Sequence, residues 1–209
     1  MVAIAAALVA VVLAADRVAV IRAGHRVARR IGDRGFSAEP QVIIAGFPFL
    51  TQLAARRLTK VVIRAEDAKL GPLEVRRLEL TLHGIRASSG GRTASRLSGT
   101  ALVGFAELAA MTGTPGLTLS AGGPDRVKIT AGLGLVTGTA TARVTAAGPG
   151  GLRIAVISVS GIPVAALGPL RHITVPLPAL PPGVRIQDVT VTGQGLLVHI
   201  AGQDVHLGG

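Results

Sequence analysis

Cysteine is absent from this chain. That excludes disulfides, thiolate metal sites and cysteine nucleophiles, and it removes the usual sequence clue to redox compartment. Tryptophan and tyrosine are also absent, and four phenylalanines bring aromatics to only 2% of 209 residues. The core must therefore be built from Val, Leu, Ile and Ala. Negative charge is scarce as well: 11 acidic residues face 22 Lys and Arg, a formal net charge of +11. Such an excess predicts attraction to a polyanion of some kind. Yet charged residues are 16% and hydrophobic residues 49% of the chain, so it has ample apolar material for a core and is no disordered tail.

Chemistry-bearing motifs are equally sparse. His25, His83, His172, His199 and His206 fall at spacings that match no helical zinc pair, so no metal site is expected. There is no G-x-S-x-G elbow and no Walker A loop. The pairs Gly132/Gly134 and Gly193/Gly195 lack the third glycine and helix of a dinucleotide site, so no cofactor is expected. Glu66 and Asp67 are adjacent and face opposite sides of a strand, and Glu74 and Glu79 flank Arg76-Arg77 as surface ion pairs. No catalytic residue can be assigned, and the chain reads as a non-enzyme. Nucleic acid is excluded as a partner because single-strand binders need aromatic platforms, and only Phe36, Phe47, Phe49 and Phe105 exist.

What is present begins with Met1 to Ala15, an uninterrupted apolar run. As a helix it spans roughly 22 Å, short of a hydrocarbon core of about 30 Å but suited to a signal peptide or membrane anchor. No positively charged stretch precedes it, which gives the expectation that the true start codon lies upstream. Residues 16–34 read as a basic amphipathic helix. Val20, Val27 and Ile31 share one face, Arg22, Arg26 and Arg29 point the other way, and six arginines face two aspartates. Such a helix directly after an apolar run fits an anionic membrane surface.

Residues 35–209 read as a single strand-rich domain. Runs 41–46, 60–65, 73–82, 126–133, 135–147, 152–158, 184–192 and 196–201 are β-branched or alternating, with Gly-rich turns at 88–91, 122–125, 148–151 and 193–195. Phase slips at Val75 to Leu78 and Ile186 to Val189 predict bulges that bend a long strand. Short helices are expected over 50–58 and 105–112, and the proline-rich stretch 176–182 as an extended crossing segment. The fold class is α+β: a curved, mostly antiparallel sheet wrapped against helices and preceded by an apolar N-terminal helix. Such a sheet either fills its interior with side chains or leaves a groove for an acyl chain.

The stretch Pro40 to Gln52, PQVIIAGFPFLTQ, together with Ala15-Asp16-Arg17-Val18-Ala19, resembles the actinobacterial LmeA-like family of envelope phospholipid-binding proteins. Gly99-Thr100-Ala101, Phe105 and Leu108, and the ending Leu180 to Gly195, follow that family's later segments in the same order. The resemblance implies a tubular-lipid-binding (TULIP-like) fold. It also implies binding of phosphatidylinositol-like or other anionic phospholipid on the outer side of the cytoplasmic membrane, in a periplasm-like space. Support of lipoglycan assembly, with a membrane glycosyltransferase as partner, is a further implication. The residues themselves suggest that acyl chains lie along Phe47, Phe49, Leu50, Leu53, Leu80, Leu82, Phe105, Ile129 and Leu133, with Phe47 and Phe49 at a strand-to-helix corner either as a packing plug or as the wall of a lipid tunnel. Thr51 caps a helix whose Arg56 and Arg57 reach the headgroup phosphate. The alternative is a non-catalytic envelope structural or interaction protein with a side-chain-filled core.

Overall fold

The computed structural model describes residues 2–32, 40–70, 73–89, 91–133, 136–148, 151–161, 163–176 and 180–207. Outside them fall Phe36, Gly90, Gly134 to Leu135, Pro149 to Gly150 and Leu177 to Ala179, and with them parts of the expected turns and of the proline-rich crossing. One continuous helix, α1 (Val2–Gly32), opens the chain, so the apolar run and the basic segment form a single element. Eleven strands follow among the described residues: β1 (Gln41–Ala45), β2 (Arg57–Leu70), β3 (Leu73–Ser88), β4 (Gly91–Gly104), β5 (Leu117–Gly123), β6 (Arg126–Leu133), β7 (Val136–Ala146), β8 (Gly151–Val159), β9 (His172–Pro176), β10 (Val184–Thr192) and β11 (Gly195–His206). Two short helices, α2 (Phe49–Ala54) and α3 (Phe105–Met111), interrupt them, with a 3₁₀ segment at Val164–Arg171.

The class is α+β, and every described strand pairing is antiparallel. The strands form two sheets, ordered β1-β2-β3-β4-β11-β10 and β5-β6-β7-β8-β9. One apolar face of the larger sheet is covered in two ways. Over β1 and β2, Ala19, Val20 and Ala23 of α1 and Phe49 of α2 pack on Ile44 and Val61. At the other side, Val127, Val144 and Leu152 of the smaller sheet meet Ile186, Val189, Leu196 and Val198 of β10 and β11. Much of the covering layer is thus a second sheet where the sequence suggested helices.

Three strands, β4, β5 and β9, carry no expectation from the sequence. In β4, between β3 and β11, the Gly, Ser and Thr of GRTASRLSGTALVG resemble turn chemistry until the partners on both sides are known, and the edge strand β5 shows only a brief alternation before its turn-like SAGG. The bend in β10 is a register shift between Ile186 and Asp188. At Val75 to Leu78 the burial slips phase without a shift of register, two exposed arginines standing between two buried aliphatics. On α1, Arg22, Arg26 and Arg29 are exposed as the helical period predicts. Val27 is exposed too, because the packing stripe runs through the small residues Ala19, Ala23 and Ala28 instead. The side chain of Ile31 lies outside the described residues. On the smaller sheet Val127 and Ile129 point inward, while Arg126 stands opposite Arg143, and Lys128 stands opposite Ser120 and Thr141, on the outer face.

Candidate functional site

Period-two alternation turns one set of side chains from β5, β6, β7 and β8 of the smaller sheet toward α3. They do not meet in the middle. A chamber of about 380 Å³ lies between them, lined by Val127 and Ile129 of β6, Ala142 and Val144 of β7, and Leu152, Ile154 and Val156 of β8. Leu117 and Leu119 of β5, Leu108 and Met111 of α3, and Leu196 of β11 continue its apolar wall, and Thr112 brings the only hydroxyl among the described residues. A smaller apolar space of about 80 Å³ continues under the larger sheet, bounded by side chains such as Val75, Leu78, Ile186 and Val198. Leu108, Leu152 and Leu196 border both spaces. The chamber falls within the roughly 300–1,000 Å³ of small-ligand sites. A wall of hydrocarbon and one hydroxyl dissolves hydrocarbon, at about 0.8 kcal/mol per CH₂ withdrawn from water.

Among the described residues, one side-chain polar contact joins helix α3 to the larger sheet, beside the apolar packing of Phe105 and Leu108. Arg76 Nε of β3 donates to Glu107 Oε1 at 2.9 Å. Glu107 sits in the first turn of α3, where a carboxylate also meets unpaired backbone N–H groups. Desolvation acts to raise the Glu107 pKa, but a backbone hydrogen bond and the Arg76 guanidinium outweigh it and hold the group below its ordinary value. Both side chains crowd the start of the helix. A Cβ on Gly104 would collide with the Glu107 carboxylate and come within 2.6 Å of Arg76 Nε. The carboxylates expected to pair locally pair across strands instead: Glu79 with Arg64 at 3.2 Å and Glu74 with Lys69 at 3.9 Å. Residues two apart on a pleat share a face, but the β2 neighbour in register stands closer.

Of the side chains expected on acyl chains, Ile129 lines the chamber. Phe105 is half-buried against the same core cluster. Leu80, half-buried on β3, packs between two other clusters, and Leu82 is buried among Ala94, Leu97, Val184 and Val205. Phe49, 2% exposed, plugs the space between α1 and β2. Phe47, Leu50 and Leu53 face solvent around α2. The Leu133 side chain lies outside the described residues. The expected helix over 50–58 spans Phe49 to Ala54, with Pro48 as N-cap, so Thr51 sits inside the first turn and makes no cap. Arg56 and Arg57 are consequently not helical: Arg56 occupies the turn with φ 52°, and Arg57 opens β2 opposite Arg86. Neither lines the apolar chamber.

The remaining wall residues left a signal in the sequence that was readable. Alternation in Leu117-Thr118-Leu119, Ala142-Arg143-Val144 and Leu152-Arg153-Ile154 marks three inward faces, and Leu108 with Met111 gives the i, i+3 pair of a helix.

The two motif stretches, Ala15 to Ala19 and Gly46 to Gln52, prove to be one contact. Asp16, 2% exposed, accepts the Leu50 backbone N–H on Oδ1 at 2.8 Å, which satisfies a free donor of the first turn of α2. The Arg17 guanidinium lies 5.4 Å from the centroid of the Phe47 ring. Gln52 Oε1 accepts both the backbone N–H and the hydroxyl of Thr59, at 2.8 and 2.9 Å, closing α2 onto β2.

A family model described as LmeA-like phospholipid-binding matches residues 14–201, which take in both motif stretches, both sheets and the chamber. No curated protein and no solved structure matches the chain.

Proposed function

The chain belongs to the LmeA-like phospholipid-binding family, and from that premise we propose that the chamber beneath α3 receives a phospholipid acyl chain, with the smaller space past Leu108, Leu152 and Leu196 as its extension. The observation that carries this reading is the chamber wall, twelve apolar side chains and one threonine around about 380 Å³. Ile129, Val144, Leu152 and Leu108 are the residues we assign to the acyl chain, with Phe105 beside them. The protein acts by binding and catalyses nothing. It works at an anionic membrane surface on the extracytoplasmic side, favours anionic headgroups, and supplies or senses lipid for envelope lipoglycan assembly beside a membrane glycosyltransferase. The formal charge of +11 and the apolar run ahead of Asp16 support the membrane part of this reading.

The test is native mass spectrometry with lipid extraction on the full chain, expressed in a bacterial host and exchanged out of detergent. A stoichiometric phospholipid adduct that persists through gel filtration is expected. A clean apo mass, with no uptake from anionic vesicles, would sink the reading in favour of an interaction protein whose core is closed by side chains.

A further inference from the structure

Solitary exposed aliphatic side chains are ordinary on any protein surface. Here they are concentrated. Among the described residues, Leu13, Val18 and Ile21 of α1 and Phe47, Leu50 and Leu53 around α2 are all exposed, Phe47 by 54% and Leu53 by 56%. The Asp16 to Leu50 hydrogen bond and the Arg17 to Phe47 contact bring these two groups side by side. Arg17, Arg22, Arg56 and Arg57 stand around them, and none forms an ion pair among the described residues. The one carboxylate at the contact, Asp16, is buried and bonded inward. Apolar side chains ringed by unpaired cations are complementary to the boundary between phosphate headgroups and acyl chains.

The helix supplies a direction. Since α1 is continuous and Asp16 is its point of attachment to α2, residues 2–15 extend beyond the corner, and their sequence is apolar throughout. Their length, about 21 Å at 1.5 Å per residue, enters hydrocarbon without crossing it.

We propose that the corner formed by Asp16 to Ile21 and Phe47 to Arg57 is the end of the molecule that contacts the membrane, seated on an anionic phospholipid bilayer. Phe47, Leu50 and Leu53 lie at the base of the headgroups, Arg17, Arg56 and Arg57 lie among the phosphates, and α1 enters the acyl region ahead of Asp16. Arg56 and Arg57, which the sequence suggested for a bound lipid, thus meet the headgroups of the surrounding bilayer. This deepens the membrane association proposed above and does not depend on whether the chamber carries lipid.

The absence of native tryptophan makes the test direct. Phe47→Trp and Leu53→Trp place a single fluorophore at exposed positions on the corner, and Ile157→Trp places one on β8 of the smaller sheet, also exposed. The full chain carrying each is mixed with phosphatidylcholine/phosphatidylglycerol vesicles, sedimented, and read for emission wavelength and for quenching by lipids brominated near the carbonyl end. Corner probes are expected to shift to the blue and to lose emission by roughly twofold, as an interfacial indole does, while the β8 probe keeps its solution spectrum. Vesicle binding with unshifted corner probes, or with quenching of the β8 probe instead, overturns the corner assignment alone. Failure of all three proteins to sediment overturns the membrane association with it.

Discussion

Ala142 is fully buried, yet it faces the chamber and leaves room that a larger side chain could enter. Ala142→Phe is expected to keep the fold and to lower phospholipid occupancy severalfold in native mass spectra. Ile129→Asp should abolish occupancy by placing a charge in hydrocarbon. A variant at either site that folds and still carries a full complement of lipid would move the acyl chain elsewhere. Leu196→Ala is a different experiment, because Leu196 separates the two spaces: it should cost about 2–5 kcal/mol in urea denaturation while leaving room for lipid. Asp16 is decisive for the corner. Asp16→Ala strands the Leu50 N–H and should cost about 1–3 kcal/mol, with Asp16→Asn, which keeps an acceptor, costing less. Equal stability of all three proteins would mean that the hydrogen bond does not hold α1 to α2.

Among the elements, α3 is attached through a carboxylate whose pKa is lowered in the folded chain. The folded-state pKa of Glu107 lies below its ordinary value. Its contribution is therefore complete above the unfolded value of about 4.3 and is lost as pH falls through the lower folded value. Transfer of bound lipid to acceptor vesicles should accelerate across that acid window, and Glu107→Gln should remove the acceleration. A profile unchanged by the substitution would show that α3 is held by packing alone. The elements also separate what was legible in the sequence from what was not. Strands with strict alternation or dense β-branching, such as 126–133 and 184–192, were readable to the residue because their pattern needs no partner. Strand β4 was not, since its glycines and serines fit only because neighbours on both sides press close. The short helix after Pro48 ends well before residue 58 because Arg56 turns the chain with a positive φ, which local propensity disfavours in arginine. For the site the same division holds: Ile129 was visible through alternation, whereas the opposite walls come from strands and a helix that only the packing of two sheets brings together.

For the whole molecule, ligand and stability are linked. A phospholipid that binds only the folded chain stabilises it by mass action, about 2.7 kcal/mol at a free concentration one hundred times Kd. Delipidated protein should melt lower, and its Tm should climb as phospholipid is returned below the level at which vesicles form. A Tm indifferent to lipid would argue against a chamber that opens to it. The outer face of the smaller sheet has a consequence of another kind. Arg126 stands directly across from Arg143, with Lys128 on the same side, and no carboxylate is registered against any of the three. Folding thus sets like-charged side chains directly opposite one another, an arrangement that costs stability. Most proteins held by surface ion pairs weaken as electrolyte is added, but shortening the Debye length from about 10 Å to about 3 Å here relieves repulsion. Sodium chloride should raise the Tm, and Arg143→Glu, which turns the facing pair into an attractive one, should flatten or reverse that slope.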